Sequence, residues 1–563
     1  MLDTASGSPS INGAVNSLPN APSKLNGRKF YESIGSPKFV LAPMVDQSEF
    51  AWRMLTRSFM TPSSNKNLLA YTPMMHARMF GETAKYRDKN FQPVRTCLPE
   101  AYKLGSLFSE SEIYLDGNPK IDRPLFVQFC ANDPDELLHA ANYVAPFCDA
   151  VDLNLGCPQG IARKGKYGAF LQEDLDLICR LINKLHLNLP VPVTAKIRIL
   201  DTKEKTLEYA RRILDAGASI LTVHGRQREQ KGHNTGLADW RVIRYLRDNL
   251  PKDTVLFANG NILLREDIDR CLEVTGADAV MSAEGNLCDP AIFSDPPPLG
   301  EEGREYWRGK DGKGGYRMDA AMRRYMDIIY KYVLEVPVPE RNPLYIPSDP
   351  NQPGQLTAET EGEIDGPPRK KQKTANPEKK KEKATSPNLV AMQAHLFHLL
   401  RPLVANHHHI RDTLAKARAG DIETFENILQ MVEQVVATGL REYVETDGKT
   451  IEEEMEKDLK LMESKLEVEG KEKTENDEKY ESSLETVRAC KRPWWVVQPY
   501  VRPLPSEALL KGSMTLSRKE KAKLQQIDKT QTGDIPVTGK TEPERVGDGK
   551  EIVDVPKQGL VCG

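Results

Sequence analysis

Ala150-Val151-Asp152-Leu153, followed at once by Asn154-Leu155-Gly156-Cys157-Pro158, is a short run of mostly apolar residues that stops on polar side chains and a turn. Runs of this length suit strands buried on both faces. Seven more occur between Lys38 and Asp295: Phe39 to Ala42, Leu68 to Thr72, Leu125 to Phe129, Val193 to Ile197, Ile220 to His224, Val255 to Ala258 and Ala279 to Met281. Helical spacing fills most of the intervals. Leu175, Ile178, Leu181, Ile182 and Leu185 recur every three to four residues, and Leu207, Ala210, Ile213 and Leu214 repeat the pattern. Eight such runs alternating with helices over ~250 residues predict an α/β chain with a TIM (β/α)8 barrel over 38–295. A doubly wound sheet is the structural alternative.

The composition changes on either side. Residues 1–37 open on Ser, Asn, Pro and Gly and are expected to be disordered. Pro- and Gly-rich sequence from Pro296 to Asp311 leaves the barrel. Helical periodicity returns over 312–340 and 388–445, carried by Leu396, Leu399, Leu400 and Leu403, then by Ile422, Phe425, Ile428, Leu429 and Val432. These predict a small C-terminal helical domain. Between them, 341–387 reads as a low-complexity basic linker containing Pro368-Arg369-Lys370-Lys371-Gln372-Lys373. The segment 446–563 is strongly charged and is expected to be mostly disordered, with a solvated helix as the alternative over Ile451 to Glu485.

Several function classes are excluded on simple grounds. No run approaches the ~20 apolar residues of a membrane span, and the N-terminus lacks the apolar segment of a secretory signal. The nine cysteines form no CxxC pair, which argues against a disulfide scaffold or a zinc site and for reduced thiols in the cytoplasm or nucleus. His407-His408-His409 are consecutive, so their rings diverge, and no metal is expected there. The net charge of −3 is too small to name a partner, and a monomer is expected.

Working groups of a TIM barrel sit at the C-terminal ends of its strands. The residues at and just past the end of each run are Pro43, Met44 and Val45; Gln128; Asn154 and Cys157; Lys196 and Arg198; His224; Asn259, Gly260 and Asn261; Ala283 and Glu284. A purely structural barrel does not need polar residues at one end of nearly every strand. A flavin would use them. Its pyrimidine edge needs an amide such as Gln128, its reduced form needs a cation such as Lys196, and its phosphate needs backbone N–H groups near Gly260 and Gly285. Pro43 and Met44 would line one face of the ring. Taken singly, Gln128 could cap, Lys196 could pair with an acid, His224 could be structural and each glycine could turn the chain.

Cys157 is the sharpest residue. It lies in a loop between Gly156 and Pro158, unlike Cys130, Cys148, Cys179 and Cys271, which read as small buried hydrophobes. The next loop, Gln159 to Phe170, carries Arg163, Lys164 and Lys166 among glycines and suits closure over an anionic substrate. A thiol here can act as nucleophile or acid.

Leu41-Ala42-Pro43-Met44-Val45-Asp46, Val127-Gln128-Phe129, Asn154 to Pro158, Lys196-Ile197-Arg198, Val223-His224-Gly225-Arg226 and Asn259-Gly260-Asn261 together resemble the tRNA-dihydrouridine synthases over Lys38 to Phe293. Tyr71-Thr72-Pro73-Met74 and Met281 to Leu287 resemble the eukaryotic branch acting on D-loop uridines 16 and 17. The resemblance implies FMN as cofactor, NADPH or NADH as co-substrate and tRNA as substrate. It also implies hydride delivery to uracil C6, Cys157 as proton donor to C5, and Asn154 and Arg198 as substrate-binding residues. It implies a tRNA-binding role for the helical domain, where Arg401, Arg411, Lys416, Arg418 and Arg441 would meet phosphate. One departure stands out: Ala283-Glu284 occupies the place of a Gly-Arg pair in bacterial members. There the arginine helps to hold the flavin phosphate, a charge that Glu284 cannot replace. The other readings are a flavin oxidoreductase of small pyrimidines and a non-catalytic RNA-binding barrel.

Overall fold

The computed structural model describes residues 24–96, 111–349, 386–467 and 483–510. Each of the eight apolar runs is a strand: β1 (Phe39–Leu41), β2 (Leu68–Tyr71), β3 (Leu125–Cys130), β4 (Ala150–Leu155), β5 (Val193–Arg198), β6 (Ile220–His224), β7 (Val255–Asn259) and β8 (Ala279–Ser282). All pairings between them are parallel, and β1 closes on β8 with Leu41 opposite Ser282. The chain is a TIM barrel, not an open doubly wound sheet. A two-residue strand, Met75–His76, adds to the mouth end of β3. Strand residues are buried almost without exception, as expected where side chains fill the interior on one face and meet helices on the other.

The opposite end of the barrel is plugged. The disorder expected over 1–37 stops short, because Gly27–Ser33 is a helix. Phe30 and Tyr31 pack onto Phe126 and Phe257 at ring separations of 5.9 and 5.8 Å. Arg28 bonds to Asp278 at 2.6 Å and to the Thr254 carbonyl at 3.2 Å, just before β8 and β7. Two aromatics in a polar stretch are too few to show a period, yet they are enough to anchor one helical turn. Residues 1–23 lie outside the described residues.

Past β8 the Pro- and Gly-rich segment folds into an antiparallel hairpin, β9 (Tyr306–Arg308) with β10 (Gly314–Tyr316). A helical domain comes next, built on Met318–Ile328, Pro387–Leu399, Arg401–Asn406, His408–Lys416 and Ile422–Glu445. Of its predicted apolar residues, Leu396, Leu399, Leu400, Leu403, Phe425, Ile428, Leu429 and Val432 are buried, and Ile422 is half-buried. The domain joins the barrel through the helix Phe50–Ser58. Trp52 stacks on His395 at 4.0 Å and donates to Asn286 Oδ1 at 2.8 Å, while Glu49 bonds the same imidazole and Asn388 caps the Ala51 amide.

Within 446–563 two stretches are ordered, the first matching the helical alternative for Ile451 to Glu485 and the second, from Ser483 to Leu510, departing from the expected disorder. Lys449–Glu467 and Ser483–Cys490 are helices joined by Arg488–Glu463 and Lys491–Asp458 ion pairs. Beyond them Trp495 is fully buried. Its carbonyl accepts from Met318 N, and Val497 N donates to Tyr316 O. Trp494, Trp495, Val496 and Val497 form a four-residue apolar anchor, too short for a periodicity test. The chain then runs on as a strap to the helix Pro505–Leu510, which lies beside residues 232–236 of the barrel mouth. The basic run 368–373 and everything after 510 lie outside the described residues.

Candidate functional site

The C-terminal ends of β5 to β8 open into a cavity of about 1240 Å³ whose outer wall is the strap. His224 ends β6 with its Nε2 3.0 Å from Arg226 Nη1. Burial first, then the cations Arg198, Arg226 and Lys196, push the imidazole well below its ordinary pKa. It is therefore neutral. Because Nε2 faces a guanidinium donor it must accept, so the proton sits on Nδ1, which has no partner. Asn259 ends β7 and donates to Met281 O at 3.0 Å, leaving its buried Oδ1 without a partner. One donor and one acceptor thus stand buried and unsatisfied at the mouth, which in a native core marks a ligand or a solvent site.

Charge at this end is lopsided. Arg226 bonds the Gly236 carbonyl, Asn261 Oδ1 and His224, at 3.0, 2.8 and 3.0 Å. No carboxylate among the described residues accepts from it. Burial, then Arg198, lower it to about 10, so it keeps its proton at neutral pH. Arg198 bonds the carbonyls of Gly156 and Gln227 at 2.8 and 3.1 Å. Glu284, the nearby acid, is held by Arg502 of the strap at 2.7 and 2.8 Å. A buried guanidinium such as that of Arg226, with no carboxylate bonded to it among the described residues, favours an anion.

Two glycines shape the floor. Gly260 has φ +111°, and a Cβ there would come within 2.7 Å of the Ala238 side chain; a Cβ on Gly285 would reach 2.2 Å from the Ile262 carbonyl. Asn261, expected to meet the cofactor, has its side chain occupied. It binds Ala238 N, Ala238 O and Arg226, and its φ is +61°. Its amide shapes the wall. Ala283 and Glu284 line the same cavity. Pro43 and Met44 are buried after β1, whereas Val45 is 37% exposed.

A second network lies deeper. Asn154 Oδ1 accepts from the amides of Gly156 and Cys157 at 3.1 and 2.9 Å, and its Nδ2 donates to Gln128 Oε1 at 2.8 Å. Gln128 Nε2 donates to Asp152 at 2.7 Å, and Thr194 donates to its other oxygen at 2.6 Å. Both ends of the Gln128 amide are therefore engaged with protein. Asp152 is pushed up to about 6, by burial foremost, against the hydrogen bonds and the neighbouring Lys196. Asn154 holds the turn that carries Cys157. The thiol residue is on the mouth side but 1% exposed, packed with Cys130, Ala162, Tyr167, Met74 and Phe170. Burial, then the nearby Cys157, raise the Cys130 thiol. Arg163, Lys164 and Lys166 project outward from the covering segment.

Three residues of this arrangement were not picked out from sequence. Asp152 had a signal, a carboxylate inside an apolar run. Arg226 stood in the Val223 to Arg226 motif without a role. Arg502 had no signal, since it lies in a charged tail. Among the described residues no group of three or more potential metal ligands occurs. His407 packs on Trp494 at 4.6 Å, and among the described residues no helix is long and apolar enough to cross a membrane.

The family model for dihydrouridine synthase (Dus) matches residues 40–305. The chain is 41% identical over 531 residues to the tRNA-dihydrouridine(16/17) synthase [NAD(P)(+)] of Saccharomyces cerevisiae, covering 92% of this chain and 98% of that one. It is 42% identical over 485 residues to the protein of the same name from Schizosaccharomyces pombe, covering 86% and 92%. A tRNA-dihydrouridine(20a/20b) synthase-like protein of Homo sapiens is 31% identical, over 45% of this chain and 70% of its own. With a closed parallel barrel, a polar mouth and relatives matched almost end to end, the chain belongs to the dihydrouridine synthase family.

Proposed function

We propose that this chain is an FMN-dependent tRNA-dihydrouridine(16/17) synthase that reduces the C5–C6 double bond of uridine with NADPH or NADH as electron source. The observation that carries the reading is the mouth itself. The unpartnered His224 Nδ1–H and Asn259 Oδ1, beside the cation of Arg226, lie at the same end of the barrel as the Cys157 turn. The relatives' names supply tRNA and NAD(P)(+).

The residues fit a flavin nucleotide. His224 and Asn259 offer the unsatisfied polar atoms, Gly260 permits close backbone approach, and Arg226 offers charge for a phosphate. Lys196, whose charge acts on Asp152, would stabilise the reduced flavin. When bound, FMN supplies the hydride to uracil C6. Cys157 gives its proton to C5, and solvent later returns one to sulfur; such acid catalysis contributes ~10²- to 10⁴-fold. Arg198 ties the Gly156 carbonyl to the mouth and, with Asn154, sets the position of the turn.

The cover over Cys157 gives the reaction a conformational step. Tyr167 and Ala162 must withdraw before a base can meet the sulfur. Their segment carries Arg163 and Lys166, which line a second cavity of about 820 Å³ with Lys231, the acid Asp174, and Arg228, itself paired with Glu173 and Glu229. A polyanion arriving there has the charge to displace the cover. In the helical domain Lys416 and Arg418 are exposed, while Arg411 pairs with Asp412 and Arg401 stacks on Tyr500.

The test is Cys157→Ala. It retains FMN and accepts electrons from NADPH, yet forms almost no dihydrouridine in unmodified tRNA. Undiminished product from that variant removes Cys157 from the chemistry. Preference for free uracil over tRNA favours the small-molecule reading, and a purified protein that takes up no flavin favours the RNA-binding one.

A further inference from the structure

The strap reaches the cavity from more than 200 residues away in sequence and ends in an ion pair. Arg502 Nε and Nη2 grip Glu284 side-on at 2.8 and 2.7 Å. The guanidinium lies near the ring of Tyr500, at 5.8 Å, which in turn carries Arg401 at 3.7 Å. The strap is fastened at both ends. Upstream, Trp495 is buried in the helical domain. Downstream, Glu507 caps the amides of Ser483 and Leu504 at 2.8 and 2.9 Å, and Pro505 comes to rest against Gly236. Arg502 is thus held in place before any ligand arrives.

A surface pair has no need of this. Glu284 lies just past β8, beside the glycine floor at Gly260 and Gly285. In a TIM barrel the loops after the seventh and eighth strands are the usual phosphate position. Arg226 stands in the same cavity with no carboxylate bonded to it, and from the strap contact it feels the attraction of Glu284 and the smaller repulsion of Arg502. Two guanidinium groups that line one cavity, with only Arg502 bonded to an acid, both gain when an anion enters between them. Arg502 also keeps its Nη1 without a partner among the described residues. The fork therefore holds Glu284 with one edge and retains a donor for a ligand.

We propose that Arg502, carried in by the C-terminal strap and seated on Glu284, binds the terminal phosphate of the flavin nucleotide together with Arg226. The inference rests on the cavity taking FMN. Glu284 then serves as the seat of an arginine supplied from the tail, in place of an arginine in the barrel loop. Flavin retention becomes conditional on a docked tail, so that barrel and tail form one binding unit.

The experiment compares FMN with riboflavin, which differ by that phosphate, on the full-length apoprotein by quenching of flavin fluorescence. Wild type binds FMN more tightly than riboflavin. Arg502→Gln lowers FMN affinity by about tenfold or more, the loss expected for one charge-assisted contact, and leaves riboflavin affinity unchanged. Arg502→Lys, which keeps the charge without the fork, falls between them. An unchanged FMN-to-riboflavin preference in Arg502→Gln overturns the proposal. So does an equal loss of both ligands, which would make the residue wall and fastening alone, and so does intact FMN affinity with weakened tRNA binding. Wild type that binds neither flavin sinks the FMN reading of the cavity, a result distinct from all of these.

Discussion

Asn154→Ala tests how the reactive turn is held. The side chain's orientation is dictated by its neighbours. Two backbone amides, Gly156 N and Cys157 N, point at one terminal atom at 3.1 and 2.9 Å, so that atom is oxygen. The nitrogen then faces Gln128, which must present its own oxygen, at 2.8 Å, and turn its nitrogen to Asp152, at 2.7 Å. Each link dictates the next. Alanine removes three hydrogen bonds and strands two buried amides, Gly156 and Cys157 both being buried. A stranded buried donor costs about 1–3 kcal/mol. Partial hydration through the nearby cavity reduces this, and a total loss of about 2–4 kcal/mol is expected.

The kinetic consequence is separate from the loss of stability. A turn free to wander misplaces the sulfur, and misplacement of about 1 Å costs on the order of 10²-fold. Single-turnover oxidation of the reduced enzyme by tRNA, followed by flavin absorbance, should slow by one to two orders of magnitude, while reduction by NADPH keeps its rate. Asn154→Asp is the sharper variant. It keeps both amide bonds but sets carboxylate oxygen against the Gln128 oxygen. Gln128 can relieve this by turning over only if Asp152 is protonated, so the variant should recover activity toward pH 6, where Asp152 titrates. Wild-type turnover in Asn154→Ala, or an Asn154→Asp profile parallel to wild type, would refute the reasoning.

Two further outcomes rest on the same geometry. Gly168 has φ +64°, and a Cβ there would sit 2.8 Å from the Cys157 carbonyl and 2.9 Å from its Cβ, so Gly168→Ala should loosen the cover and speed alkylation of Cys157 by iodoacetamide; an unchanged labelling rate counts against the segment as a cover. Asp152 is raised from 3.8 to about 6 in the fold, so between those values the folded state holds a proton that the unfolded state has lost. This contribution to stability is full below pH 4 and disappears as pH rises to about 6, with a slope of about 1.4 kcal/mol per unit. Asp152→Asn removes it, and chemical denaturation should show the variant losing about that much more stability per unit than wild type on acidification through the window. Parallel curves would mean Asp152 is ionised throughout.

The barrel was legible because burial on both faces of a parallel strand leaves unbroken apolar runs, from Phe39–Leu41 to Ala279–Ser282. Strand ends were legible for the same reason, since a polar residue closing such a run has few places to go except the mouth. Partner choice was not. Gln128 and Asn154 read equally well as ligands for a cofactor or as links in a chain, and only the direction of the Gly156 and Cys157 amides settles what Asn154 holds. The tail failed for a different reason. Trp494 to Val497 fasten it by four side chains without a period, and two adjacent charged helices hide them in a solvated composition. Phe30 and Tyr31 beneath the barrel escaped notice in the same way.

Glu284 belongs to both cases. Along the chain it is a misplaced acid in a phosphate loop, a local conflict between residue type and site. In space it is the seat of Arg502. The conflict disappears once the loop and the strap are counted as one element, because the pair adds the Arg502 fork to the cavity beside Arg226. The same counting bears on Arg226, which is buried with no acid bonded to it. Arg198 and, less strongly, Arg502 repel it while Glu284 attracts it, and a bound phosphate would offset that repulsion. Ligand binding and stability are then linked, by RT ln(1 + [L]/Kd). At equal concentration, FMN should raise the unfolding temperature of wild type by more than riboflavin does, and Arg502→Gln should shrink that difference. A gap between the two flavins that is as wide in Arg502→Gln as in wild type would mean that the phosphate draws nothing from the strap.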